Sequence, residues 1–477
     1  MARGHETRSA FGRNQAGLNR LAHFMSNPAS TKSKRAALTI VQHLEEKGFE
    51  AYWVGGCVRD MLMGREPKDY DVATGATPDQ ILSIFPNALA IGKAFGVVQV
   101  IIDGEPHDVA TFRRDISYED GRHPISVVFT DAQEDARRRD FTINGLFYEP
   151  VQERVIDHVD GQKDIVARIV RTIGRPEQRF SEDALRMLRA IRFASVLEFA
   201  IEPETLSAIH AMSPHITKVS AERIQHELTL LLTESPRAGN GLKLLREAGL
   251  LRFILPEVEQ LSGQEQPPAY HPEGDVFTHT VLMLNAMKNP SVALAYAVLL
   301  HDIGKPATAK KTVEFDGSKR WRFHGHAKTG ADIAEQILKR LRLPNRDSEV
   351  VIHCIRNHMH FMNVQKMRKS TLRQFVGAPT FPIELELHRL DCLSSHGDLA
   401  HHGFLEKFLN DLQNEPVLPA PWITGHDILS LGIPEGREVG SWHKKAYEAQ
   451  LEGRFENRDV LLAWLKTELA KINGKPG

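Results

Sequence analysis

Ala51-Tyr52-Trp53-Val54-Gly55-Gly56-Cys57-Val58-Arg59-Asp60 and, after a turn at Gly64 to Pro67, Lys68-Asp69-Tyr70-Asp71-Val72-Ala73 form the stretch on which the fold turns. Four strand-favouring residues run directly into a glycine pair and out into a helix containing Arg59 to Leu62. Glycines there let the backbone approach a ligand, and the amides of a helix N-terminus favour phosphate. Tyr70 to Ala73 reads as a second strand. Asp69 and Asp71, two apart, then point to one face. Carboxylates so placed can share divalent cations. Magnesium takes one or two carboxylates plus substrate phosphates, the arrangement that clamps attacking and leaving oxygens in phosphoryl transfer.

Working outward, Ala36-Ala37-Leu38-Thr39-Ile40-Val41 opens a helical pattern that stops near Gly48, and residues 77–86 read as a helix started by Thr77-Pro78. Two strand-like runs, residues 96–102 and 107–112, are separated by Asp103-Gly104, a hairpin signal. The second run carries Asp108, a candidate third carboxylate beside the first two. Downstream, Arg138-Arg139-Asp140-Phe141-Thr142-Ile143-Asn144-Gly145 brings two guanidiniums suited to bidentate phosphate contacts. Strand signals fade from Ile156, and residues 182–235 read as successive amphipathic helices. The boundaries expected are a disordered basic lead-in over 1–36, an α+β head over 37–150, a helical neck over 151–240, a helical body over 241–415 and a helical tail over 416–477.

The chain has 477 residues, enough for about three domains at roughly 150 residues each. With 42% hydrophobic and 25% charged residues it is neither disordered nor fibrous. The longest apolar run, Val292 to Leu300, is too short to span a membrane. No apolar segment follows the early arginines as a secretory signal requires, and Cys57, Cys354 and Cys392 form no CxxC pair. A reducing cytoplasm is expected. With 60 basic against 61 acidic residues the net charge is −1, so any nucleic-acid contact must come from local clusters. The first 36 residues, with seven basic side chains against Glu6, are one such cluster; Arg137-Arg138-Arg139 and the arginines of 171–192 are the others.

Gly55-Gly56-x-x-Arg59-Asp60, Gly64, Asp69-x-Asp71, Asp108-Val109-Ala110-Thr111-Phe112-Arg113, Arg138 to Gly145 and Glu182-Asp183-Ala184-Leu185-Arg186-Met187-Leu188-Arg189 stand in one order, and in that order the chain resembles the class II tRNA nucleotidyltransferases that add CCA and their relatives, the bacterial poly(A) polymerases. The resemblance runs from about residue 50 to 235 and loosens afterwards. It implies a polymerase β-like mixed-sheet head followed by an all-helical neck, an HD-type body and a tail. It further implies that Asp69 and Asp71 hold two Mg2+ ions and that Asp108 assists attack of a 3′-hydroxyl on an α-phosphate. Gly55, Gly56, Arg59, Arg113, Arg138, Arg139 and Asn144 would bind the nucleotide. Asp183 and Arg186, three apart and so neighbours on one helix face, would read the base, with Arg189 one turn on. A carboxylate accepts from the exocyclic amine of C or A while a guanidinium donates to the adjacent ring nitrogen; U and G present a carbonyl instead. The segment Tyr118-Glu119-Asp120-Gly121-Arg122-His123-Pro124 stands where the family carries a flexible loop that helps switch from C to A.

A second constellation begins at His271-Pro272-Glu273-Gly274-Asp275-Val276-Phe277-Thr278-His279 and continues with His301-Asp302 at the end of an apolar helix, then His324, His326, His358, His360 and Asp391. The order His279, His301-Asp302, Asp391 is similar to the metal-dependent HD phosphohydrolases, and imidazole with carboxylate suits a divalent transition metal that activates water. The expected activity is template-independent CCA addition to the tRNA 3′ end from CTP and ATP. An A-adding or poly(A) polymerase of the same family is the near alternative, and an HD phosphohydrolase acting on phosphate esters is the alternative of another class. No membrane and no obligate protein partner is expected.

Overall fold

The computed structural model describes residues 28–118, 124–313, 315, 317, 319–412 and 415–473. It divides into two compact units, the first of residues 1–236 with 240–254 and the second of 237–239 with 255–477.

Among the described residues the head of the first unit carries eight strands: β1 (Ala51–Val54), β2 (Asp71–Thr74), β3 (Val97–Ile102), β4 (Glu105–Thr111), β5 (Arg113–Tyr118), β6 (Pro124–Phe129), β7 (Leu146–Glu149) and β8 (Arg154–Asp157). Six of them form one sheet in the order β3-β4-β2-β1-β7-β8, while β5 and β6 pair separately. Only β2 and β4 run parallel; the remaining neighbours are antiparallel. The Asp103-Gly104 signal holds. Both residues take positive φ, at 51° and 80°, and Ile102 stands opposite Glu105. Ala37, Ile40, Val41 and Leu44 lie on one stripe of helix Pro28–Glu46 and bury against Trp53, Tyr70, Val72, Val98, Val100 and Val109. Trp53 meets Tyr70 edge-on at 4.8 Å and stacks on Tyr148 at 5.6 Å, tying β1 to β7 and to the turn before β2.

Three boundaries differ from expectation. The opening helix starts at Pro28 rather than near residue 36, because its first turns are polar and show no apolar stripe until Ala36; residues 1–27 lie outside the described residues. The sheet does not end at 150, since β8 pairs with β7 through residue 157. The neck is not wholly helical either: Ile169–Val170 (β9) and Ala200–Ile201 (β10) form a short parallel ladder between helices. Such two-residue ladders leave no periodic signature in a sequence. Helices Pro176–Glu182, Leu185–Leu197 and Ala221–Glu234 follow β9.

Among its described residues the second unit is helical apart from one ribbon, Lys310–Val313 (β11) with Lys319–Arg322 (β12). Helix Val292–Leu300 is apolar all round and buried from Ala293 to Leu300. A separate small core of Ile423, Ile428, Ala446, Ala449, Leu461 and Leu465 holds the last helices together.

Candidate active site and metal centre

In the first unit the site grows from the sheet. Val54 pairs with Asp71 and Val72 with Val109, so Asp71 and Asp108 are direct neighbours on parallel strands. Asp69 precedes β2 instead of lying in it, yet exposure alternates through the turn: Asp69 and Asp71 face solvent while Tyr70 and Val72 are buried. Both aspartates thus lie on the face that Tyr70 leaves. The Gln99 amide, opposite Asp108 in register, donates to its Oδ1 at 3.2 Å. The Asp71 carboxyl reaches solvent but is closely surrounded; that partial desolvation, then Asp69 and Asp108, push it up to about 6 against the pull of Arg139. The like charges of Asp69 and Asp108 thus add to the desolvation of Asp71. Among the described residues the three carboxylates do not converge within the 4.8 Å that the groups of the second unit achieve.

The glycine pair faces the guanidiniums. Gly55 has φ 74°, which favours glycine, and a Cβ there would stand 3.3 Å from Arg139 Nη1, close enough that the guanidinium would have to give way. Arg59 donates through Nη1 to Asn144 Oδ1 at 2.7 Å and through Nε to Asp60 at 2.9 Å. Buried Asp135 holds Arg138 and Arg139 with bonds of 2.8 and 2.9 Å and accepts from the Arg113 amide at 3.2 Å. It collects three of the expected nucleotide-binding positions on one carboxylate. Burial would raise Asp135, but Arg139 and Arg138 outweigh it and hold the carboxyl below its ordinary range. Asp140 joins the next layer: it accepts from Arg189 at 2.7 and 2.9 Å and from Asn144 Nδ2 at 3.2 Å. Arg59, Arg189 and Arg192 all lie against the Phe193 ring, at 5.3, 5.3 and 4.0 Å.

The base-reading pair is placed differently from expectation. Asp183 and Arg186 are not on one helix face. Asp183 caps the end of Pro176–Glu182 in an extended conformation, and Arg186 belongs to the next helix, Leu185–Leu197. A carboxylate that accepts its own local amide, here Leu185 N at 3.0 Å, competes with continuous helix. Nor do the two side chains pair with each other. Arg223 grips Asp183 at 2.6 and 3.2 Å, whereas Arg186 donates to Glu182 at 2.5 Å and to the carbonyl of Arg138 at 3.3 Å. Arg223 and Asp135 were not singled out in the sequence, and Glu182 stood in the quoted motif without a role, since residues that position others have no spacing rule of their own. Glu119 to His123, the core of the expected switching loop, lie outside the described residues.

In the second unit His279, His301 and Asp302 bring ligand atoms within 4.8 Å of one another, and Asp391 reaches His279. His279 is fully buried, with Nε2 3.1 Å from Asp391 and Nδ1 2.7 Å from Glu273. Asp302 lies 3.1 Å from His301 Nε2 and 3.5 Å from His326 Nε2, and Lys305 donates to it at 2.6 Å. The structure adds His326, His358 and Glu273, which the sequence showed near the motif without a role. His301, His326 and His358 each place Nδ1 on a backbone carbonyl, of Val298, Phe323 and Ile355, at 2.9, 2.8 and 2.6 Å. A carbonyl only accepts, so these protons sit on Nδ1 and the Nε2 lone pairs face inward. His326 Nε2 and His358 Nε2 stand 3.1 Å apart, and His301 Nε2 is buried without a hydrogen-bond partner. Burial lowers His326 and drives His358 down to about 4, which keeps both neutral. Burial also pulls on His279, but Asp391 and Glu273 outweigh it and push it up to about 9. Inward lone pairs meeting one another around a carboxylate fit a divalent transition metal.

Three family models match the chain. The Poly A polymerase head domain matches residues 51–171, the probable RNA and SrmB- binding site of polymerase A matches 198–261, and the HD domain matches 276–391. A CCA-adding enzyme of Geobacillus thermodenitrificans is 44% identical over 219 residues, 46% of this chain, and the chain spans about half (54%) of that relative's length. A CCA-adding enzyme of Lactobacillus johnsonii is 40% identical over 457 residues, covering 92% of this chain and 97% of the relative. The crystal structure of the Bacillus stearothermophilus CCA-adding enzyme in complex with CTP superposes with a TM-score of 0.72 at 28% identity, over 94% of this chain and 99% of that one.

Proposed function

The chain belongs to the CCA-adding enzymes, and on that premise we propose that it adds C, C and A to the 3′ end of tRNA from CTP and ATP, without a nucleic-acid template and with release of pyrophosphate. The observation that carries this reading is the placement of Asp71 beside Asp108 on parallel strands, with Arg139 acting on Asp71 and standing against Gly55. Asp69 and Asp71 would hold Mg2+, whose chemistry when bound is to neutralise charge on the attacking and leaving oxygens. Asp108, in register with Asp71, is placed to orient the attacking 3′-hydroxyl. Gly55 and Gly56 let the triphosphate approach the backbone, while Arg59, Arg138 and Arg139 supply donors held in position by Asn144 and Asp135. Asp183, steadied by Arg223, accepts from the exocyclic amine of C or A, and Arg186, steadied by Glu182, donates to the ring nitrogen.

In the second unit His279, His301, Asp302, His326, His358 and Asp391 would hold a divalent transition metal, supported by the unpartnered Nε2 of His301. A metal there activates water toward phosphate esters. Among the described residues no helix is long and apolar enough to cross a membrane, and we place the protein in the cytoplasm with its tRNA substrate.

The test is incubation with Mg2+ and tRNA ending before CCA, with CTP alone, ATP alone or both, and product length read to the nucleotide. Extension by CCA that then stops supports the proposal. Adenosine added only to tRNA ending in CC, or long A tails, replaces it with the A-adding or poly(A) alternatives.

A further inference from the structure

Arg189, expected beside the base readers, has its guanidinium already engaged on three sides. Nε and Nη2 donate to Asp140 Oδ2 at 2.9 and 2.7 Å, Nη1 donates to Glu227 Oε1 at 3.2 Å, and its centre lies 5.3 Å from the Phe193 ring. Glu227 is only 3% exposed, and its second oxygen accepts from Arg192 Nε at 2.5 Å. Removing one member of such a buried network leaves an uncompensated charge. What sets this network apart is where its two ends lie.

One end is the triphosphate cradle. Asp140 accepts through Oδ1 from Asn144 Nδ2 at 3.2 Å, and Asn144 Oδ1 accepts from Arg59 Nη1 at 2.7 Å. Arg59 rests on the same Phe193 ring as Arg189. The other end is the base reader. Glu227 and Arg223 stand four apart on one face of helix Ala221–Glu234, and Arg223 holds Asp183 at 2.6 and 3.2 Å. Two turns beyond Glu227 on that helix, Glu234 accepts from Lys68, the neighbour of Asp69, at 2.7 Å. One helix thus ties to the base reader through Arg223, to the cradle through Glu227 and to the aspartate-bearing strand through Glu234.

A nucleotide is one molecule, so its base meets Asp183 and Arg186 correctly only if they stand at a set distance from the groups that hold its phosphates. A misplacement of about 1 Å can cost on the order of a hundredfold in rate. We propose that Glu227 and Arg189 are positioning residues that clamp the phosphate-holding loop to the base-reading helix, so that a base matched at Asp183 seats its α-phosphate beside the catalytic aspartates. Arg189 acts through Asp140, its donors spent on two carboxylates rather than on a base. The inference rests on the nucleotidyl-transfer reading above and on Asp183 as base reader.

The test uses the full chain, tRNA ending before CCA or in CC, and addition of one nucleotide from CTP, ATP or UTP. Inorganic tripolyphosphate serves as a competitor that fills the cradle and has no base. Glu227→Gln should raise KM for CTP and ATP about tenfold and lower the kcat/KM preference for C over U about tenfold, with the tripolyphosphate inhibition constant within about twofold. Arg189→Lys keeps the charge but loses the double grip on Asp140, so it should reproduce the lost preference, and it carries the test where thermal melting shows Glu227→Gln unfolded. Glu227→Asp, with the charge retained, should recover part of the preference. A purely structural role gives fewer active molecules, hence a lower kcat for every nucleotide with KM and preference unchanged, and that result overturns the proposal. So does a tripolyphosphate constant that rises as much as KM, which confines the damage to the cradle. Asp183→Ala in the same assay separates the two readings. Preference lost there but kept in Glu227→Gln and Arg189→Lys removes the clamp alone; preference kept in Asp183→Ala removes the base reader and the clamp with it.

Discussion

The two candidate centres of this chain solve opposite problems. On the head sheet Asp69, Asp71 and Asp108 are exposed carboxylates, and partial desolvation, then the charges of Asp69 and Asp108, push Asp71 up to about 6. In the helical unit the imidazoles are buried, three of them with Nδ1 fixed on a carbonyl and Nε2 aimed inward. Exposed oxygen donors suit a hard, exchangeable cation. Buried imidazoles suit a softer, resident one.

The largest effect should come from breaking the oxygen site. Asp69→Ala/Asp71→Ala should lower CTP and ATP incorporation into tRNA by more than about 10³-fold, beyond the loss of a single transition-state donor, while metal bound in the helical unit stays unchanged. Next, His301→Ala/Asp302→Ala should strip that resident metal, read by elemental analysis after dialysis, and leave incorporation within about twofold. Equal loss of incorporation would show that the contrast between the centres is not a functional one. Asp183→Ala should sharpen the head's side of the comparison by reducing discrimination of C and A against U and G about 10²-fold, measured as kcat/KM ratios. Arg223→Ala should do the same about tenfold less strongly, since it acts only through Asp183; Arg223→Lys should restore part of the preference.

The smallest effect concerns acid stability. Asp135 and Asp140 are both held below their ordinary range; burial opposes this, but Arg139 with Arg138, and Arg189, respectively prevail. A depressed carboxyl contributes stability that is present above the unfolded value of about 3.9 and lost as pH falls through the folded one. Denaturant midpoints should drop on acidification through that window, and Asp135→Asn should lower stability at neutral pH while flattening the drop.

Much of this was legible beforehand. Gly55-Gly56, Asp69-x-Asp71 and the Asp103-Gly104 hairpin each depend on backbone preferences or on residues close in sequence, whereas the order His279, His301-Asp302, Asp391 is spread over several helices and was readable only as residue types in order. The break between Asp183 and Arg186 was hidden, because a three-residue spacing is compatible with one helix or with a junction. Arg223 shows why: its partner lies forty positions away, and no periodicity links them.

By itself the sequence determined which chemistries the chain can carry, because glycine, aspartate, arginine and histidine bring their conformational freedom, charge and donor sets wherever they stand. Only the tertiary structure decided which of them meet. Strand register set Asp71 beside Asp108, Asp140 took hold of Arg189, Arg223 of Asp183, and His279 met Asp391. Such meetings depend on packing between residues far apart along the chain, and their energy exists only once the core has closed around them.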